Sequence, residues 1–305
     1  MWLANPLESP LLWPTAGVVG GIWVVALLGL LAKERRRLRT WRRSELFQRQ
    51  LTWGWIAPTF TVCVLSGWLP TLALVALMVF QGLREYGRLT GLPRMYRWAL
   101  LGAGLLVLPA ALLSTSAFYV LPALLFLVAT LQPVLVQDAQ AGVRHLAFAV
   151  FGGGYVAWLL GHLLLIGTHM PDGNGLLLAL GLAVALSDIF AFVLGKAFGR
   201  HKLAPRLSPN KTWEGLAGNM VGASLGVLAM SFALPDGLPW YGAPLLAAAI
   251  GLGCAWGDLL ESAIKRGAGV KDAGDWLQGF GGLLDRIDSM IIAAPLSYYL
   301  VLWMA

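Results

Sequence analysis

Six of the chain's fifteen acidic residues, Asp258, Glu261, Asp272, Asp275, Asp285 and Asp288, fall within one short stretch near the C-terminus. Helical spacing sorts four of them into two pairs. Asp258, Ser262 and Lys265 stand at i, i+4 and i+7, on one face of a helix, with Glu261 beside that face. Asp285 and Asp288, at i and i+3, project together from the start of the next helix. Two carboxylate pairs brought to one boundary offer the oxygen ligands that Mg2+ takes, one or two carboxylates plus substrate phosphates. Lone acid pairs are often no more than solvated caps. Here they are interleaved with Lys265, Arg266, Lys271 and Arg286, cations suited to phosphate oxygens.

Glycines crowd the segment between the pairs, in Gly267-Ala268-Gly269-Val270-Lys271-Asp272-Ala273-Gly274 and Gly279-Phe280-Gly281-Gly282. Such density lets backbone N–H groups approach phosphate oxygens. The run matches neither the P-loop nor the dinucleotide-binding fingerprint, and a flexible connector is the plainer alternative. A second basic loop, residues 199–215, combines turns at Pro205 and Pro209 with Arg200, Lys202, Arg206 and Lys211, and with the hydroxyls of Ser208 and Thr212. Asp188 lies inside an otherwise apolar run. A carboxylate at the bilayer centre costs roughly 2.5–3.5 kcal/mol, so it should face a cavity or a hydrogen-bonding Ser or Asn. The chemistry these residues suit is the binding of several phosphates and a divalent cation, where catalysis is positioning and charge neutralisation.

Membrane helices must position these groups. Of 305 residues, 58% are hydrophobic and 12% charged, against about 25% charged in a soluble domain. Apolar runs of membrane-crossing length predict an all-α polytopic bundle of about ten spans, near residues 16–32, 51–66, 69–83, 98–113, 116–132, 146–167, 175–194, 216–234, 243–260 and 289–304. The second and third, joined at Ser66-Gly67, read as a tight hairpin or a re-entrant pair. With this count every one of the 22 Lys and Arg residues falls in alternate loops, around 33–50, 84–97, Arg144, 195–215 and 265–288. Basic residues favour cytoplasmic loops, so both termini are expected outside and the candidate site at the cytoplasmic face of the cytoplasmic membrane. The net charge of +7 then sits on that face. The basic run from Lys33 to Arg49 reads as a loop that meets lipid headgroups, and nucleic-acid binding is a poor alternative in so apolar a chain. The first apolar run lacks a basic leader and reads as a transmembrane helix, not a cleaved signal. Cys63 and Cys254 form no ligand spacing and read as packing residues, and the four histidines make no zinc set.

The C-terminal residues also carry a resemblance. Ser262-Ala263-Ile264-Lys265-Arg266, then Lys271-Asp272-Ala273-Gly274, then Gln278-Gly279-Phe280-Gly281-Gly282-Leu283-Leu284-Asp285-Arg286-Ile287-Asp288 follow S-x-x-K-R-x4-K-D-x-G and P-G-H-G-G-x-x-D-R-x-D, the motifs of the phosphatidate cytidylyltransferases. Gly257-Asp258-Leu259-Leu260-Glu261, Leu203-Ala204-Pro205 and Ser208-Pro209-Asn210-Lys211-Thr212-Trp213-Glu214-Gly215 resemble the family too, and Leu83-Arg84-Glu85-Tyr86 does so more weakly. The resemblance implies transfer of CMP from CTP to phosphatidate, giving CDP-diacylglycerol and pyrophosphate in phospholipid biosynthesis. It implies Mg2+ on Asp258, Asp285 and Asp288, with Asp188 and Asp272 as further candidates, and leaves room for a monovalent cation. Lys265, Arg266, Lys271, Arg286 and Lys211 would neutralise phosphates, while Ser208, Asn210, Thr212 and Ser262 would orient headgroup or nucleotide. It further implies a homodimer. The regions expected are 1–50, a first transmembrane helix plus basic loop; 51–174, the helices of the N-terminal half; and 175–305, the catalytic region. Gln278 and Phe280 stand where the family motif has Pro and His. The lost imidazole removes one candidate phosphate or proton contact. The attacking phosphate is already anionic, so the chemistry is expected to survive, with a paralogue acting on another lipid phosphate as an alternative. The nearest alternative is a CTP-dependent polyprenol or phytol kinase. A transporter for an anionic solute, or a lipid-binding scaffold without catalysis, are further ones.

Overall fold

The computed structural model describes residues 3–34, 45–270, 273–274 and 281–304. Its helices are α1 (Leu12–Glu34), α2 (Glu45–Leu65), α3 (Trp68–Leu89), α4 (Arg94–Leu113), α5 (Thr115–Ala129), α6 (Leu131–Val136) and α7 (Gly142–Gly152). A π-helical turn, Gly153–Trp158, carries α7 without a break into α8 (Leu159–His169), and α9 (Gly173–Phe198) follows. Then come a short hairpin of β1 (Lys202–Ala204) and β2 (Ser208–Thr212), and the helices α10 (Trp213–Ala229), α11 (Gly242–Gly267) and α12 (Leu284–Met304).

The fold is the expected all-α polytopic bundle. Seven runs, namely α1, α4, α5–α6, α7–α8, α9, α11 and α12, are long and apolar enough to cross a membrane. The chain is an integral membrane protein. The other expected spans fall on α2, α3 and α10, which are helical but less apolar or shorter. In α3 the reason is visible: Gln81, Arg84, Glu85 and Arg88 occupy its C-terminal half. At a rise of about 1.5 Å per residue, α2 and α3 each reach roughly 30 Å. The chain reverses between them at Gly67, whose φ of 101° suits a residue without a Cβ. Thr71 Oγ1 donates to the Cys63 carbonyl at 3.1 Å across that turn.

The core lies around α8, whose Leu160, Leu163, Leu164 and Ile166 are fully buried against neighbours that include Leu176 and Leu180 of α9 and Ile291 of α12. By contrast α1 and α5–α6 bury almost none of their apolar surface within the chain. Leu124, Leu127, Val128, Val134 and Leu135 all face outward, as residues do in a hydrocarbon solvent.

Glycine stripes set the closest helix contacts. Gly218, Gly222 and Gly226 share one face of α10, and a Cβ at each would collide with the α9 backbone at Phe190, Leu186 and Ala183. Small residues at such spacing let membrane helices approach backbone to backbone, where dispersion replaces the absent hydrophobic drive. Asn219, between two of them, donates from Nδ2 to Ser187 Oγ at 2.8 Å. On α11, Gly253 and Gly257 do the same against Ala293 and Asp288 of α12. Gly222→Val is expected to destabilise the folded protein by about 1–3 kcal/mol through overpacking. Thermal unfolding in detergent would register it as a lowered Tm with loss of monodisperse protein.

Candidate active site

Close packing at Gly257 lays the acidic turn of α11 directly on the start of α12. There Asp258, Glu261 and Asp288 converge, each offering one oxygen, with all three atoms within 4.8 Å of one another. Glu261 and Asp288 are buried, and the Asp258 side chain is 46% exposed, so the cluster has an open side. Asp188 of α9 stands at the same place and accepts a hydrogen bond from Ser289 Oγ at 3.0 Å. Asp188 is exposed at this end of α9. A cluster of this kind can hold a divalent cation.

The trio differs from the expected one in a single member. Asp285 is occupied elsewhere, and Glu261 stands in its place. Asp285 Oδ1 accepts from Lys265 Nζ at 2.7 Å, and Oδ2 accepts from the backbone N–H of Ala273 at 3.0 Å and of Gly282 at 2.8 Å. Three donors on its two oxygens leave little for a metal. Lys265 also pairs with Glu261 one turn back, so a single ammonium joins α11 to α12 through two buried carboxylates. Lys265 was expected on phosphates; its side chain is instead 13% exposed and committed to these acids. Glu261 Oε1 remains buried without a hydrogen-bond partner among the described residues. A buried carboxylate oxygen in this setting is suited to a cation or a water.

The basic loop expected over 199–215 folds as an antiparallel hairpin with Lys202 opposite Thr212 and Ala204 opposite Ser208. Its turn is held by Leu207 N–H donating to the Ala204 carbonyl at 3.1 Å. Thr212 caps α10, its Oγ1 accepting from Gly215 N–H at 3.0 Å, and is buried. That capping is an ordinary helix-start role, apart from the ligand contact expected of it. Lys211, one residue earlier, reaches the cluster: Nζ lies 2.8 Å from Asp258 Oδ1. The contact is an ion pair without a directed hydrogen bond, and Nζ is otherwise buried without an acceptor among the described residues. Arg266 ties the hairpin turn to α11, Nε donating toward Leu207 O at 3.4 Å and Nη1 to Val270 O at 3.1 Å. Ser208 and Asn210 stand on β2 beside Lys211, Ser262 is buried on α11, and Arg286 is exposed at the start of α12. Lys271, Asp272, Gln278 and Phe280 lie outside the described residues.

Two contributors escaped the sequence reading. Glu261 carried a signal, its i+3 and i+4 relations to Asp258 and Lys265, but was placed beside the active face. Glu85 of α3 also arrives at the site, accepting hydrogen bonds from the Leu283 and Leu284 backbone. Its mark in the sequence is the weaker family resemblance of Leu83-Arg84-Glu85-Tyr86, which gives it no role.

Comparison with known proteins agrees with this geometry. The sequence model of the cytidylyltransferase family matches residues 47–304. The chain is 35% identical over 288 residues to the uncharacterized protein YnbB of Escherichia coli, covering 89% of this chain and 94% of that protein. It is 39% identical over 215 residues to a phosphatidate cytidylyltransferase of Brucella abortus, covering 69% of this chain and 74% of that one. A phosphatidate cytidylyltransferase of Mycobacterium leprae is 39% identical over 163 residues, 53% of this chain and 49% of its own length. The helical bundle, the acidic cluster where α11 meets α12 and these relatives together make the chain a membrane nucleotidyltransferase belonging to the cytidylyltransferase family.

Proposed function

We propose that the chain transfers CMP from CTP to phosphatidate, giving CDP-diacylglycerol and pyrophosphate. The observation that carries the reading is a pair of complementary polar atoms, one acidic and one basic, at the same acidic cluster. Among the described residues no group donates to Glu261 Oε1, and Lys211 Nζ, paired with Asp258 of the same acidic cluster, has no hydrogen-bond acceptor. A bound divalent cation with a triphosphate would satisfy both. Bound Mg2+, held by Asp258, Glu261 and Asp288, would neutralise charge on the triphosphate and polarise its phosphorus.

The chain's own residues then do three things. Lys211 and the neighbouring β2 residues Ser208 and Asn210 face the phosphates from the hairpin. Lys265 offsets the charge of Glu261 and Asp285, so these two acids can stand beside Asp258 and Asp288 without mutual repulsion driving them apart. Arg286 and Arg266, exposed at the same end, are placed to draw anionic substrates toward the cleft. An oxygen of the lipid phosphate attacks the α-phosphorus of CTP, and the bond from that phosphorus to the bridging oxygen of the β-phosphate breaks, releasing pyrophosphate. The attacking oxygen is already anionic, so no strong general base is required. The reaction is therefore mostly positioning and electrostatics.

Orientation belongs to the same proposal. The confinement of all 22 Lys and Arg to alternate connections supports ten spans, both termini outside, and a cleft on the cytoplasmic side of the cytoplasmic membrane, within reach of CTP. Phosphatidate is an inner-leaflet lipid that can reach the cleft sideways.

Purified protein, given Mg2+, phosphatidate and CTP labelled at the α-phosphorus, tests the reading. The expected result is label in a chloroform-soluble lipid with stoichiometric pyrophosphate. Label recovered as water-soluble CDP would overturn it in favour of a lipid kinase. Intact CTP with phosphatidate, but turnover with another lipid phosphate, would keep the nucleotidyl transfer and replace the lipid.

A further inference from the structure

We infer that Glu85 of α3 is a positioning residue for this site: its buried carboxylate fixes the first turn of α12, and with it Asp285 and Asp288. The inference rests on the cleft reading above and deepens it.

Glu85 is 3% exposed and comes from the N-terminal half of the bundle. Its Oε1 accepts from the Leu283 N–H at 3.1 Å, and its Oε2 accepts from the Leu284 N–H at 2.8 Å. Gln81, one turn earlier on α3 and also buried, donates from Nε2 to Oε1 at 2.7 Å and orients the group. Leu284 opens α12, and the first N–H groups of a helix have no partner within it. A residue just before the helix ordinarily supplies the cap. Here the residues immediately before it are Gly281, Gly282 and Leu283, whose side chains cannot accept a hydrogen bond. The cap comes instead from another helix, and as a carboxylate it meets the positive end of the α12 dipole.

The loop is shaped around this group. A Cβ at Gly274 would sit 3.2 Å from Glu85 Oε1, and one at Gly282 would sit 2.6 Å from Oε2. These glycines, which by sequence suit phosphate approach or a flexible connector, make room for a carboxylate from α3. The residues held are next to the chemistry. Gly282 N–H donates to Asp285 Oδ2, and Asp288 of the acidic cluster lies one turn further along α12. Releasing the two amides frees the helix start to shift, and both acids move with it. Groups that orient metal ligands from behind typically change metal affinity 10–100-fold when removed.

The test compares Glu85→Ala and Glu85→Gln with wild type in full-length protein. Hydrogen exchange, followed by mass spectrometry, should quicken at least about tenfold at the Leu283 and Leu284 amides in Glu85→Ala. Glu85→Gln should fall between, because its single carbonyl oxygen can accept from one amide only. Mn2+ affinity, read by EPR, should weaken about tenfold or more in Glu85→Ala. Its kcat should drop about 10²-fold, as for a misplacement on the order of 1 Å. Unchanged exchange at these amides, or a lowered Tm with wild-type Mn2+ affinity and kcat, would overturn the inference. If Glu85→Ala does not fold, the near-isosteric Glu85→Gln decides by the same three readouts. Failure of wild-type protein to use phosphatidate sinks the proposed function alone, since exchange and Mn2+ binding still decide the role of Glu85.

Discussion

Replacing Asp288 by Asn is expected to lower kcat for cytidylyl transfer by about 10³-fold, with the protein still folded. Asp288 shares the cluster with Asp258 and Glu261 and is buried on the glycine-lined seam between α11 and α12. The substitution keeps volume and one carbonyl oxygen, so packing against Gly257 survives. What it removes is one negative charge from a site that must gather a cation and a triphosphate. Loss of one preorganised electrostatic partner in a water-poor site costs about 2.7–4 kcal/mol of transition-state stabilisation, which corresponds to 10²–10³ in rate. Asp258→Asn should fall in the same range, and it also frees Lys211 from its ion pair. Initial rates with labelled CTP across a Mg2+ titration would measure both. Asp236→Asn, on a loop away from the cleft, serves as the control and should match wild type. Wild-type kcat in Asp288→Asn would remove the acidic cluster from the mechanism.

Lys265→Met should produce the largest loss of stability, about 3–5 kcal/mol. The ammonium is the counter-charge to two acids whose side chains are 1% and 5% exposed, Glu261 and Asp285. Breaking a buried pair by removing one partner strands the other charge, and here two are stranded. Thermal unfolding in detergent should show a strongly lowered Tm and a poor yield. A second substitution sharpens the expectation. Glu261→Gln in the Lys265→Met background should recover part of the lost stability, because it removes one of the stranded charges, and the cycle would give a coupling energy between the two residues. Activity should not return with it, since Glu261 also belongs to the acidic cluster. Stability and turnover that recovered together would argue that Glu261 is structural only.

Much of the site was legible because it lies on helices. The i, i+3 and i+4 relations among Asp258, Glu261, Ser262 and Lys265 follow from the helix period alone, and so does the pairing of Lys265 with Glu261. What those relations lacked was a reference direction. Periodicity places a side chain on the circumference of its own helix, but it does not tell which neighbour that side meets or at what depth. Asp285 and Glu261 illustrate the consequence. Both are acids near one boundary, and their roles divide only once α12 is seated against α11 at Gly253 and Gly257. The seating turns Asp285 back onto Lys265, Ala273 and Gly282 and leaves Glu261 facing Asp258 and Asp288. The hairpin of Lys202–Thr212 was hidden for another reason: two strands this short carry too few residues to show alternation, and their polar composition reads equally as loop.

By itself the sequence determined that the protein is a helical membrane bundle, roughly where its helices run, that its acids and glycines gather near the C-terminal end, and which family they resemble. These are properties of short windows: the length of an apolar run against the thickness of hydrocarbon, helical spacing, and linear motifs. Tertiary structure decided which three carboxylates meet, that Lys265 holds acids together, that Lys211 reaches Asp258 from a hairpin, and that Glu85 caps α12 from about 200 residues away. Each of these depends on how closely two backbones approach, and that distance is set jointly by glycines on one helix and the shape of another, information that no single stretch of chain contains.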